Sequence, residues 1–261
     1  MKRILNYPGS KWTLAEKIIT LFPEHTTYIE PFFGSGAVYF NKPVSKIETI
    51  NDLDGRVCNF FRVCRDKPEE LANRILLTPH SRKEYMQCDE TDQDPIEDAR
   101  KFLINSWQSI GGIQRYKTGW RSNIDKLGGK LHEWNDLPER IMEVAGRLKQ
   151  TQIENQDAIK LLERYNRMEV LAYVDPPYLM ELRKCRYYKT EMEDERHLEL
   201  LELLRGFKGK VILSGYDSGL YDQRLMGWNK LYFEANAEGG QKRTEVIWCN
   251  FETIGQMSLF A

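Results

Sequence analysis

The chain has no pattern that would hold a metal. Its five cysteines, Cys58, Cys64, Cys88, Cys185 and Cys249, form no C-x-x-C pair, and its four histidines, His25, His80, His132 and His197, are far apart. Scattered, odd-numbered thiols read as buried or incidental side chains, and neither a disulfide framework nor a zinc site is expected. No apolar run approaches the ~18–20 residues of a membrane span, and the N-terminus lacks the apolar segment of a signal peptide. A cytoplasmic protein with no membrane partner is the expectation. Nor is there an excess of charge: 38 basic residues face 39 acidic ones, a net charge of −1. That balance argues against a general polyanion binder, whose affinity comes from neutralising phosphates. No internal repeat or low-complexity stretch is visible.

What is present is unevenly placed. Residues 115–130 carry five Lys/Arg and one acid, and residues 183–189 carry four basic residues, two tyrosines and no acid. Acids collect at 89–98 and 191–202, where they read as solvated helix surface. Two local basic stretches give a nearly neutral protein a basic face. Hydrophobic residues make up 41% of the 261-residue chain, enough for a substantial core.

Periodicity separates two kinds of segment. At the N-terminal end a helix over 13–21 precedes a β-prone stretch, Thr27-Tyr28-Ile29, which runs into Glu30-Pro31-Phe32-Phe33-Gly34-Ser35-Gly36. A helix over 37–41, a strand over 46–50 ending in Asn51-Asp52-Leu53-Asp54, and a helix to about Arg65 follow. Strand, glycine loop, helix, strand and acid form the grammar of a nucleotide-binding α/β unit. Residues 67–149 break that grammar. Helices are expected over 68–77, 81–87, 94–107 and 137–148, with Phe102, Trp107 and Trp134 in the core, and a polar, basic loop runs from 109 to 134. Loops of such length inside compact domains are functional or disordered. The α/β pattern then resumes: strands over 152–154, 170–174 and 210–213, helices over 157–164 and 193–204, and a closing antiparallel pair over 231–234 and 245–251. The expected architecture is a Rossmann-like α/β sheet formed by 1–66 and 150–261, interrupted by a mainly helical insert, 67–149.

The sharpest chemical signal is Asp175-Pro176-Pro177-Tyr178, directly after an apolar strand. Ligands of open α/β sheets bind beyond the carboxyl ends of strands. Asp-Pro also opens ordinary surface turns, but its placement here suits one task. The amino nitrogen of adenine is a poor nucleophile because its lone pair is delocalised into the ring. A carboxylate at Asp175 and the carbonyl of Pro176, both accepting N6 hydrogens, favour a more tetrahedral nitrogen with a usable lone pair. Pro176 and Pro177 hold the turn open. Tyr178 offers a stacking face for a base taken out of its duplex, and stacking of this kind contributes roughly 1–3 kcal/mol. Gly34 and Gly36 let the backbone approach a cofactor closely, although a tight structural turn explains them equally well. Asp52, sixteen residues after Gly36, suits the two ribose hydroxyls of an adenosyl group. A helix N-cap is the competing role, and Asp52 and Asp54 are equally suited to it.

Taken together, Phe32-x-Gly34-x-Gly36 and Asp175-Pro176-Pro177-Tyr178, separated by more than a hundred residues, resemble the Dam-like (D12 class) DNA N6-adenine methyltransferases, which keep their target-recognition segment between these motifs. Further collinear matches are Tyr7-Pro8-Gly9-Ser10-Lys11, Asp157 after the third strand, Ser214-Gly215-Tyr216, and Arg243-Thr244-Glu245-Val246-Ile247-Trp248. The resemblance implies an enzyme that transfers a methyl group from S-adenosyl-L-methionine to adenine N6 in duplex DNA by base flipping. Tyr7, Lys11, Phe32, Gly34, Gly36, Asp52 and Asp157 would hold the methyl donor, and Asp175, Pro176, Pro177 and Tyr178 the adenine. Arg115, Lys117, Arg121 and Asn123 would serve DNA recognition, and Arg183, Lys184, Arg186 and Lys189 a backbone clamp; a solvated polar loop is the competing reading for each set. Three other functions compete with this one. RNA or protein amino-methyltransferases usually carry Asn in place of Asp175. A catalytically silent DNA-binding relative would not need Asp175, Tyr178, Gly34, Gly36 and Asp52 intact. An NAD(P) oxidoreductase wants a third glycine where Tyr39 stands. The recognised sequence, the oligomeric state and a partner restriction endonuclease are all left open.

Overall fold

The computed structural model describes residues 1–113, 116–122, 130–182, 189–236 and 242–253. Seven strands form one sheet: β1 (Thr27–Glu30), β2 (Ile47–Asn51), β3 (Gln152–Glu154), β4 (Val170–Val174), β5 (Lys210–Gly215), β6 (Asn229–Asn236) and β7 (Lys242–Cys249), in the order β3-β2-β1-β4-β5-β7-β6. The first five are parallel and β7 runs antiparallel between β5 and β6. The helices are α1 (Ala15–Ile19), α2 (Ala37–Asn41), α3 (Gly55–Asp66), α4 (Pro68–Leu76), α5 (Arg82–Met86), α6 (Pro95–Gln108), α7 (Lys130–Asn135), α8 (Leu137–Leu148), α9 (Ala158–Arg164), α10 (Asp194–Arg205) and α11 (Gly219–Arg224). This is the expected Rossmann-like arrangement with a closing antiparallel pair.

Strand alternation distributes the core onto two faces, because successive side chains point to opposite sides of a sheet. Tyr28, Leu171, Tyr173, Ile212, Ile247 and Cys249 belong to one apolar cluster. Ile29, Val170, Ala172, Val174, Val211, Leu213, Val246 and Trp248 belong to the other, covered by residues of α9, α10 and α11. All five residues of β4 are buried, as a strand covered on both faces requires.

Among the described residues, the stretch between Lys67 and Lys149 holds no strand and shares its core with the sheet. Leu71 and Ile75 of α4, Tyr85 of α5, Phe102 and Trp107 of α6, and Ile141, Val144 and Leu148 of α8 belong to the same cluster as Phe60 and Phe61 of α3. Trp107 and Trp134 are buried as expected; the Trp134 indole donates to the Thr78 carbonyl at 3.1 Å. That anchor accounts for α7, a helix inside the stretch whose sequence suggested only loop. The acids at 89–98 are not uniformly solvated either. Asp98 is buried and pairs with Arg56 at 3.0 Å, and Asp94 caps α6 by accepting from the Ile96 amide.

Helices of this stretch also grip the N-terminal segment. Ser106 Oγ accepts from the Asn6 amide and donates to its carbonyl, both at 2.8 Å. The Trp107 indole donates to the Ile4 carbonyl, and Arg140 to the Arg3 carbonyl, each at 2.8 Å. Gly112, at φ +65°, lies so close that a Cβ there would sit 2.4 Å from the Asn6 carbonyl oxygen.

A buried ionic cluster ties the end of α8 to the sheet. Glu48 of β2 bonds Lys42 and both terminal nitrogens of Arg147, and the Arg147 guanidinium lies 3.9 Å from the centre of the Tyr39 ring. Removing one member of such a cluster strands the other charges without a counter-ion. Glu48→Ala is therefore expected to lower stability by roughly 3–5 kcal/mol, read as a shift of the urea unfolding midpoint. A change below about 1 kcal/mol would mean that water reaches Lys42 and Arg147 freely.

Candidate active site

The sheet grows in one direction from β1 to β2 and in the other from β1 to β4. Connections leave the two carboxyl ends on opposite sides, and a crevice opens between them. An open cleft of about 1080 Å³ lies there. Tyr7, Lys11, Phe32, Gly34, Asp52, Asp157, Asp175, Pro177 and Lys189 all contribute to its wall, although they come from distant parts of the sequence.

Each acid is set by its strand end. Asp52 follows β2; its Oδ2 accepts from the Gly34 amide at 2.8 Å and its Oδ1 from the Asp54 amide at 2.9 Å. Burial raises its carboxyl to about 6 despite those amide donors. Asp54 caps α3, accepting from the Arg56 amide at 3.0 Å. Both acids line the cleft, and Asp54 also caps the helix. Asp157 does both. Its Oδ1 caps α9 through the amides of Ile159 and Lys160, while Oδ2 pairs with Arg196 of α10. Asp175 follows β4, and Lys11 Nζ holds its Oδ2 at 3.0 Å while also donating to the Gly9 carbonyl at 2.7 Å. Beneath them Glu30, which the sequence did not single out, accepts from the Tyr28 hydroxyl at 2.7 Å, and burial pushes its carboxyl up to about 8.

The two glycines differ. Gly34 lines the cleft at φ +50°, and a Cβ there would press the Tyr7 ring at 3.3 Å. Gly36 does not line it: the residue caps α2 at φ +65°, where a Cβ would meet the Phe33 ring at 2.4 Å. Conformation and aromatic packing both call for a glycine there. Pro176 and Tyr178 also stand back from the cleft wall. The Tyr178 ring is buried, with the Tyr216 ring edge-on at 4.5 Å and Lys11 Nζ 4.9 Å from its centre. Its hydroxyl lies 2.7 Å from Glu245 Oε2 and 3.1 Å from Asp175 Oδ1.

Of the basic residues assigned to DNA, Lys189 lies exposed on the cleft rim. Arg121 donates from Nε to the Ser109 carbonyl at 3.2 Å, within a fold-back closed by the Ser109–Trp120 bridge. Lys117 is engaged by Asp89 at 2.6 Å and by the Met86 carbonyl at 2.8 Å. Arg115, Asn123, Arg183, Lys184 and Arg186 lie outside the described residues.

A strand-end acid after β2, another after β3, a glycine loop after β1 and an Asp-Pro-Pro-Tyr turn after β4 meet in one cleft. The model of the D12 class N6 adenine-specific DNA methyltransferases matches residues 7–235. The chain belongs to that family. It is 25% identical to the type II methyltransferase M1.LlaDCHI of Lactococcus lactis subsp. cremoris over 94% of this chain and 95% of that protein. It is 24% identical to the DNA adenine methylase of Salmonella typhi over 84% and 82% of the two chains. A solved SAM-dependent methyltransferase from Agrobacterium tumefaciens overlays with a TM-score of 0.38 at 10% identity, covering 91% of this chain and 59% of that one. The protein is an adenine-specific DNA methyltransferase, and S-adenosyl-L-methionine is its methyl donor.

The cleft residues fit that donor. Asp52 keeps lone pairs on both oxygens for a diol, and the Gly34 backbone lies open to the cleft. As the diol's acceptor, ionised Asp52 would take two hydroxyl protons and its protonated form fewer. Affinity for S-adenosyl-L-methionine should therefore fall as pH drops below about 6, the value to which burial raises this carboxyl. Calorimetric titration between pH 5 and 8 reads the effect, and Asp52→Asn should flatten it. An equally steep fall in that variant would assign the titration to another group.

Proposed function

We propose that this enzyme methylates the N6 amino group of an adenine rotated out of duplex DNA into the space in front of Asp175, Pro176 and Tyr178, within a specific sequence. The single observation that carries the reading is the Lys11–Asp175 pair, 3.0 Å long, at the head of a cleft that also holds Asp52 and Asp157. When bound, S-adenosyl-L-methionine supplies an electrophilic methyl group on a positively charged sulfur, which departs as a neutral thioether.

The protein supplies position. Lys11 fixes one oxygen of Asp175 and leaves the other edge of the carboxylate to take an N6 hydrogen. The Pro176 carbonyl, held by two successive prolines, takes the second N6 hydrogen. Both contacts draw density toward nitrogen and favour the pyramidal geometry in which its lone pair is usable. Holding nucleophile and methyl carbon in one cleft removes much of the entropic barrier to their encounter. The nitrogen becomes acidic only once it is methylated, so its proton passes to water, and Asp175 acts as an acceptor that orients and not as a strong base. Asp52 and Asp157 serve the adenosyl end, with Tyr7, Phe32 and Gly34 around them.

DNA would lie across the rim that carries Lys189 and the fold-back around Arg121. Phosphate contacts there set orientation, while base-edge contacts from the 109–130 segment set the sequence. The helical stretch 67–149 is the proposed recognition insert.

Asp175→Ala is expected to abolish methyl transfer, by at least about 10³-fold if orientation and the acceptor are both lost, and to leave affinity for the donor within a few-fold. Transfer of radiolabel to unmethylated duplex DNA, followed by nucleoside analysis, reads it. N6-methyladenine from the wild type and none from the variant is the predicted result. Normal turnover by the variant would refute the role given to Asp175. Donor binding without label in DNA would turn attention to an RNA or protein substrate.

A further inference from the structure

Glu245 has no part in the mechanism above, yet its carboxylate is buried at the end of the sheet where the reaction takes place. It belongs to β7, one residue before Val246, which pairs with Gly215 at the end of β5. Val246 and Trp248 point into the cluster covered by α9 to α11. Alternation therefore sends Glu245 to the other face, beneath Tyr178.

There the Tyr178 hydroxyl meets three oxygens: Glu245 Oε2 at 2.7 Å, Asp175 Oδ1 at 3.1 Å and Ser214 Oγ at 3.4 Å. Burial, with Asp175 and Glu245 adding to it, holds the phenol well above its ordinary pKa, so it carries one proton. One proton makes one full bond. The 2.7 Å separation is that of a normal O–H···O bond, and 3.1 Å lies beyond the usual range. The proton therefore belongs to Glu245, and Asp175 Oδ1 faces mainly the lone pairs of the phenol oxygen. With Oδ2 held by Lys11, Oδ1 is the Asp175 oxygen left to receive an N6 hydrogen.

We propose that Glu245 is a positioning residue that draws the Tyr178 hydroxyl proton away from Asp175, so that Asp175 Oδ1 can take the substrate's N6 hydrogen. The inference rests on the assignment of Asp175 as the N6 acceptor. Without Glu245, rotation about the phenol C–O bond turns the proton onto Oδ1, and the enzyme's own tyrosine competes with the adenine. In this role Glu245 acts on the substrate through Tyr178.

A double-mutant cycle tests this, because only residues that act through one another are non-additive. The rate of methyl transfer is compared in wild type, E245A, Y178F and E245A/Y178F at saturating donor. E245A is expected to lower kcat about tenfold, the scale of one competing hydrogen bond to a charged group, with donor affinity unchanged. In the Y178F background, where no hydroxyl remains to compete, the same substitution should change kcat less than about twofold. E245Q, whose amide oxygen accepts the same bond, should recover most of the loss. An equal loss from E245A in both backgrounds, or no loss in either, overturns the inference. Should E245A not fold, E245M fills similar space without an acceptor and carries the same cycle. A crystal structure of the variant gives a readout independent of turnover: the distance from the phenol oxygen to Asp175 Oδ1 should contract from 3.1 Å to about 2.7 Å. If it does not contract, the inference fails even when wild type methylates adenine. If it contracts while wild type forms no N6-methyladenine, the substrate reading fails and the side-chain geometry stands.

Discussion

The reversal of strand order at β1 is the constraint on which the site depends. Because β2 lies on one side of β1 and β4 on the other, the loops leaving β1 and β4 diverge, and the space between their carboxyl ends cannot be filled by either crossover. A glycine loop and an Asp-Pro-Pro-Tyr turn at those two ends must face each other across that gap. Asp52 and Asp157, at the ends of β2 and β3, extend the same row of strand ends outward. A reaction between two molecules therefore takes place where the backbone has already opened a place for both.

The charges around the gap are held by partners within the chain. Asp54 takes the capping role that Asp52 would otherwise share, and Lys11 anchors Asp175 from a segment far away in sequence. Arg196 occupies one oxygen of Asp157 while the other caps α9. Most of these acids carry an internal partner before any ligand arrives. Such prior pairing limits the reorganisation that ligand binding demands, a familiar route to efficient transfer chemistry.

Much of this was legible in the sequence because parallel strands buried on both faces read as apolar runs. Val170 to Val174 is the clearest case, and the motifs at strand ends inherit their location from such runs. The rest depends on tertiary partners that no local pattern encodes. That Asp52, and not Asp54, receives the Gly34 amide is one such contact. Helix α7 owes its place to the Trp134 indole on Thr78, and Asp98 is buried because Arg56 meets it. The packing of Phe33 and Phe40 against Gly36 is another. Glu245 lay within a motif carried by the family resemblance, yet its chemical meaning appears only when β7 is laid beside β5.

The grip of α6 and α8 on residues 3–6 bears on how such enzymes can be recombined. Ser106, Trp107 and Arg140 hold the backbone that immediately precedes Tyr7 and Lys11, and the core of the helical stretch is continuous with that of the sheet. A helical stretch anchored in this way, with the recognition role proposed for it, is not an exchangeable cassette. Transplanting 67–149 into a relative would bring half of a joint whose other half stays in the donor chain's first six residues, and the cleft would lose the support of its own lysine. Under the proposed recognition role, exchange of these helices between relatives would require the amino terminus to move with them.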